Sequence, residues 1–239
     1  MKKYVFYALG EVMLVVVGIL IAVQLGNLNQ QRKDKKEEQF ILQSLEEDFQ
    51  TNLELLNKDI ETNQSNLNDV FRLLEIIREQ KASPDLNEIN KLFANLSSWG
   101  TVDFNTGSID EMKNSGKLQI LQNELLRNKL SGWQAVVDEL QKEGDIMVGH
   151  YTKVLIPLLA KIYPLVSTDK LNFPSDIYSR PNLPKSNNKF DITDLYSLEI
   201  ESLLYAHAVN FDYILIADLE AKEKVKALLI LIAAGLKSE

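Results

Sequence analysis

Residues Tyr4 to Leu28 read YVFYALGEVMLVVVGILIAVQLGNL, a 25-residue run in which Glu11 is the one charge. At about 1.5 Å of rise per residue the run reaches about 37 Å, enough to cross a hydrocarbon core of about 30 Å with some tilt. It predicts an N-terminal transmembrane anchor, residues 1–31 with its flanks, followed by a helical extramembrane domain over 32–239. The competing reading is a cleaved signal peptide, with Lys2 and Lys3 as its charged start and Val12–Val23 as its apolar centre. No small-x-small cleavage site follows cleanly, and an acid inside such a segment is unusual.

Within the run, Gly18 and Ala22 lie within about 20° of the helical line through Glu11. Gly18, Ala22 and Gly26 also form a small-xxx-small series, which lets helix backbones approach closely in lipid. Glu11, Gly18, Ala22 and Gly26 are therefore the candidate helix-association face. The alternative places Glu11 at headgroup level, leaving Val12–Leu28 to span about 25 Å.

The 239 residues contain no Cys, which excludes disulfides, thiolate metal sites and a Cys nucleophile. Only 10 Gly and 6 Pro punctuate the chain, favouring helices. Net charge is −8 and unevenly spread. Residues 1–36 hold six basic side chains against Glu11 and Asp34, a net of +4, so residues 37–239 carry −12. So acidic a domain is a poor nucleic-acid binder. The basic residues flanking the apolar run can instead meet anionic lipid headgroups.

From Arg32 to Lys81 there is neither Pro nor Gly, predicting one long helix over 32–82. Leu42, Phe49, Leu56, Val70 and Ile77 recur at multiples of seven, with Asn63 on the same line. A second line holds Leu53, Ile60, Leu67 and Leu74. Together they form a heptad seam, packing either on the chain itself or on another copy. Asn63, as a buried amide, is read as a setter of register or partner number.

Ser83 and Pro84 read as the cap and first position of a second helix, with short helices over 84–121. Ser108-Ile109-Asp110-Glu111 reads as a capping box and Gly116 as a helix stop. Asn123 caps a helix over 123–163, with bends expected at Gly144, Gly149 and Pro157. Residues 164–192 hold four Pro and read as a long loop. A last helix runs over 193–236, its end Ala227–Leu236 apolar for ten residues and read as a buried or interfacial helix end. No strand-type period of useful length is visible. The fold class is all-α: one transmembrane helix, then an antiparallel bundle of long helices with short helical inserts.

The run from Tyr7 to Asn52 resembles the shared opening of a family of small bacterial membrane proteins of unknown function. The resemblance rests on Gly10-Glu11, Gly18-Ile19-Leu20-Ile21-Ala22, Gln24, Asn27 and Asn29. Leu28 departs from the Trp often found there in that family. The segment Ile109 to Leu130, with its Ser115-Gly116 turn, resembles a second shared block. The resemblance implies a single-pass inner-membrane protein with its domain in the periplasm, and no known activity.

Chemistry-bearing motifs are scarce. His150 and His207 are the two His, and neither sits in a metal-ligand spacing. His207 lies near Glu199, Glu201 and Asp212 in sequence, so folding could still build a site there. Trp99 and Trp133 could line a pocket but read as packing residues. No nucleophile elbow or phosphate-cradling loop is present. The expected function is a non-enzymatic, cofactor-free scaffold or accessory subunit assembling proteins at the bacterial inner membrane, N-terminus in the cytoplasm. Its expected partners are membrane lipid and either its own copies or another membrane protein. The other readings are a small-molecule-binding sensory bundle and, behind it, a carboxylate/His enzyme.

Overall fold

The structure, a computed structural model, describes residues 2–80, 85–168 and 190–237, with only the backbone of 2–9 and 12. It is all-helical, with no strand among the described residues. Helix α1 runs unbroken over Lys2–Glu79, 78 residues with no Pro to interrupt it. It ends at Gln80, which turns the chain with φ +46°, the left-handed region that glycine adopts at lower cost.

The expected cap Ser83 and its Pro84 lie outside the described residues. Helix α2, Leu86–Asn95, is capped instead by Asp85, whose carboxylate accepts the Asn87 amide at 2.9 Å. Helix α3, Gly107–Asn114, starts one residue before the expected box. Ser108 therefore sits in the first turn rather than at the cap. Its amide donates to Asp48 of α1 at 3.0 Å, and Thr106 donates to Asp110 at 2.7 Å. Gly116 supplies the stop, with φ +72°, and a 3-10 turn covers Lys117–Ile120.

Helix α4 is Glu124–Ser131, with Asn123 Oδ1 accepting the Leu126 amide at 3.1 Å. The expected single helix over 123–163 is broken at Gly132. Helix α5, Trp133–His150, then passes straight through Gly144 and Gly149. The irregularity falls at a π turn, Tyr151–Leu155, just before Pro157 in α6, Ile156–Ile162. Pro157 has no N–H for the i−4 bond, so the ladder must shift there. A 3-10 turn, Leu165–Thr168, lies in the expected loop, whose residues 169–189 are outside the described set, and a second, Ile192–Leu195, straddles the loop's end and the start of the expected last helix. The last helix, α7, is Leu198–Leu236. It starts five residues later than expected because Asp191 caps the separate turn before it, while Ser197 Oγ accepts the Ile200 amide.

Contacts divide the chain into two compact units. The first comprises Met1–Asp48, Thr106–Leu130 and Leu228–Glu239. Leu42, Leu45, Ile109, Met112, Leu126 and Ile232 are buried in it. Gly235 packs closely there: an added Cβ would meet Leu42 Cδ1 at 2.8 Å, so the Leu42 side chain would have to shift. The apolar end of α7 is thus half buried: Leu228 and Ile232 face inward while Ile230 stays exposed. The second unit comprises Phe49–Asn105 and Ser131–Ala227, with a core built on Val70, Leu73, Ile76, Ile89, Leu204 and Phe211. Within it Asn63 meets Asp218, and Arg78 meets Glu201 at 2.9 Å.

Candidate functional site

Two features are candidates: the uncovered start of α1 and a polar line further along it. The apolar window near the N-terminus has mean hydropathy 1.7, and none of it is buried. Leu14 and Met13 expose more than 70 % of their surface, and Ile19, Leu20, Ile21 and Leu25 more than half. An apolar helix in a soluble core would be covered, so burial separates this segment from that case. By length and composition this is one helix able to cross a membrane. Glu11, Gly18, Ala22 and Gly26 are all exposed. A Cβ added at Gly10, Gly18 or Gly26 meets nothing within 4 Å. The small-residue face is therefore open to an approaching helix.

The heptad residues lie elsewhere in solvent terms. Leu42, Phe49, Leu56, Asn63, Leu67, Val70, Leu74 and Ile77 are buried, while Leu53 and Ile60 are half buried. The chain's own side chains cover them within each unit.

Asn63 spends its amide within the chain. Its Oδ1 accepts the Gly100 amide at 2.8 Å, and its Nδ2 donates to Gly100 O at 3.4 Å and to Asp218 Oδ2 at 3.0 Å. It ties an irregular loop to α1 and α7. Other polar residues of α1 do the same. Asn52 exchanges two bonds with the Asn105 backbone, at 2.8 and 2.9 Å, and Asn66 donates to Ser98 O at 2.6 Å. Glu38 accepts the Gln122 amide at 2.6 Å in the first unit. These groups satisfy backbone that no helix or strand pairs. Sequence reading missed them, yet the signal was present: Glu38, Leu45, Asn52, Asp59, Asn66 and Leu73 form a third line at sevens. A polar residue recurring at a buried period is a loop-binding line.

Asp59 backs the same loop. A Cβ on Gly100 would lie 2.8 Å from its Cγ, so only glycine allows this approach. Burial raises the Asp59 carboxyl above its ordinary value, with Lys58 opposing, and its Oδ2 has no hydrogen-bond partner. Asp218 is buried as well, and burial pushes it up to about 6, partly offset by the Asn63 amide and reinforced by the charge of Asp59.

The two His come together. Their rings stack with centroids 5.4 Å apart. His207 is fully buried, its Nε2 bonded to Leu96 O at 3.1 Å. Burial, then the charge of His150, hold it down at about 4. His150 is also lowered by burial. His207 thus sits among rings, with Tyr151 and Phe211 beside it, while Glu201 is engaged by Arg78. Among the described residues no group of three or more His, Asp or Glu could hold a metal ion. Trp133 packs edge-on between Phe49 and Phe104 at 5.0 and 5.1 Å, and Trp99 against Tyr151.

The fold and the site thus define an all-helical chain with one long exposed apolar segment and two packed units. A family of unknown function, DUF6090, matches residues 11–136, more than half of the chain, and the chain belongs to it. The match takes in Glu11 onward and the Ile109–Leu130 block. No curated protein and no solved structure matches the chain.

Proposed function

We propose that this chain is a non-enzymatic, membrane-anchored scaffold or accessory subunit that assembles proteins at the bacterial inner membrane. In this reading the N-terminus is cytoplasmic, the domain is periplasmic, and α1 and α7 are the long members of an antiparallel bundle. The carrying observation is the exposed apolar window, continuous in one helix with the folded part. Such a surface is costly in water and is matched by lipid. Because the heptad seam is filled by the chain itself, association falls to the Glu11, Gly18, Ala22 and Gly26 face. There a second copy or another membrane helix can approach the open glycines.

Two measurements test this. Alkaline carbonate should leave the full chain in the membrane pellet; release into the supernatant overturns the anchor. The chain has no Cys, so a single Ala22→Cys substitution gives clean oxidative cross-linking. It should yield a dimer, or a stoichiometric adduct with a co-purifying membrane protein, that Gly18→Leu and Glu11→Gln weaken. An oligomeric state unchanged in both variants overturns the association face.

A second reading has its own observation. A cleft of about 370 Å³ lies between Phe71, Leu74 and Arg78 of α1 and Leu198, Ser202 and Tyr205 of α7, a size that suits a small ligand. A compound that raises the melting temperature of the wild type but not of a Tyr205→Ala variant would favour ligand sensing.

A further inference from the structure

The segment Arg32-Lys33-Asp34-Lys35-Lys36-Glu37-Glu38 follows the apolar run after three polar residues. In sequence it nearly neutralises itself, with Lys33 and Glu37 at the i,i+4 spacing of a helical ion pair. In the fold the acids turn to other groups. Asp34 Oδ1 accepts from Gln30 Nε2 at 2.7 Å. Glu37 pairs with Lys117 at 2.9 Å. Glu38 is buried on the Gln122 amide. Arg32, Lys33, Lys35 and Lys36 are exposed and have no ion-pair partner among the described residues.

The two signs are also segregated around the helix. At about 100° per residue the four cations cover an arc of about 160°, and the three acids fill the opposite arc. The cations sit on one uninterrupted helix with the anchor, so their height above the apolar run is fixed. Arg32 to Lys36 span about 6 Å of axis, comparable with one headgroup layer of about 5–7 Å.

From this we infer that the basic arc binds the phosphodiester headgroups of anionic lipids in the leaflet on the domain side. The inference rests on the membrane reading above and names the lipid that the anchor selects. Arg can hold a phosphate through paired N–H donors, while Lys adds point charges that reach the headgroup level. The attraction corresponds at most to about fivefold preference per cation and fades beyond a Debye length. Several lipids share the arc, so a few-fold enrichment of anionic lipid around the protein is expected.

The test uses the full chain in mixed phosphatidylcholine–phosphatidylglycerol bilayers. Spin-labelled lipids of each headgroup report which is immobilised at the protein. The wild type should immobilise phosphatidylglycerol a few-fold more than phosphatidylcholine, and raised salt should shrink the preference. A variant with Arg32→Gln, Lys33→Gln, Lys35→Gln and Lys36→Gln should lose it. Lys33→Arg, Lys35→Arg and Lys36→Arg together should retain it. Glycerophosphate added to the buffer should leave it unchanged. Equal immobilisation of both lipids by the wild type overturns the inference. So does a preference that survives in the Gln variant, or one that glycerophosphate abolishes, which would mark a free-phosphate site. Carbonate extraction is read on the same samples: loss from the pellet refutes the anchor, whereas retention without lipid preference refutes only the basic arc.

Discussion

Replacing Asp218 by Asn removes a carboxyl that burial holds at about 6, against an ordinary value of 3.8. The folded state therefore favours the protonated form. There is no penalty below the ordinary value; the penalty grows as pH rises through it and is complete above about 6. At roughly 1.4 kcal/mol per pH unit, ionised Asp218 costs about 3 kcal/mol at pH 7 and about 1 kcal/mol at pH 4.5. His207 has the opposite slope. Held at about 4 against 6.5, it costs nothing above 6.5 and about 3 kcal/mol below 4. Between these limits one cost rises as the other falls, so their sum stays at about 3 kcal/mol and the wild type shows little net slope from them. Asp218→Asn keeps an acceptor for Asn63 and uncovers the His207 slope. Urea unfolding of the full chain in detergent, followed by Trp fluorescence, should show the variant about 3 kcal/mol more stable than wild type at pH 7 and about 1 kcal/mol at pH 4.5. With a slope of about 2 kcal/mol/M, the midpoint rises by about 1.5 M at pH 7. A gain equal at both pH values, or a loss at pH 7, refutes the claim that Asp218 is buried and ionised at a cost.

Gly100→Ala should destabilise the second unit by about 1–3 kcal/mol in the same assay, since the new Cβ meets Asp59 Cα at 3.0 Å and backbone cannot swing aside. Asn52→Ala should cost about 1–3 kcal/mol by leaving the Asn105 amide and carbonyl unpaired. Gln80→Gly should stabilise by about 0.5–1 kcal/mol, because glycine takes φ +46° without strain. Phe49→Ala should cost about 3–5 kcal/mol, as its fully buried ring packs on Trp133.

The long helices were legible because their cause is local. Apolar residues at sevens, the lack of Pro through α1 and the Asn123 cap all act within a few residues. The Gly116 stop was legible for the same reason. The site was less legible because its causes are not local. Asn63 looks like any buried amide until Gly100 arrives from 37 positions away. The capping box at Ser108 failed because Asp48, 60 residues upstream, takes the amide first. His150 and His207 share no spacing that foretells a stack. The break fell at Gly132 rather than at Gly144, which lies buried inside an unbroken helix.

Along α1 one helix meets two different surroundings, and the change narrows where a partner can bind. From Leu42 onward the apolar line is covered by the chain itself, so swapping it to another copy would uncover as much surface as it buried. Before Leu28 the apolar residues are uncovered and the glycines open. A helix that packs on this face gains contact without breaking any. Association should therefore respond to Gly18→Leu while unfolding stability does not, and Phe49→Ala should give the reverse pattern. If Phe49→Ala abolished cross-linking at Ala22→Cys while the chain remained folded, the seam would have to take part in assembly, and the division of labour along α1 would be wrong.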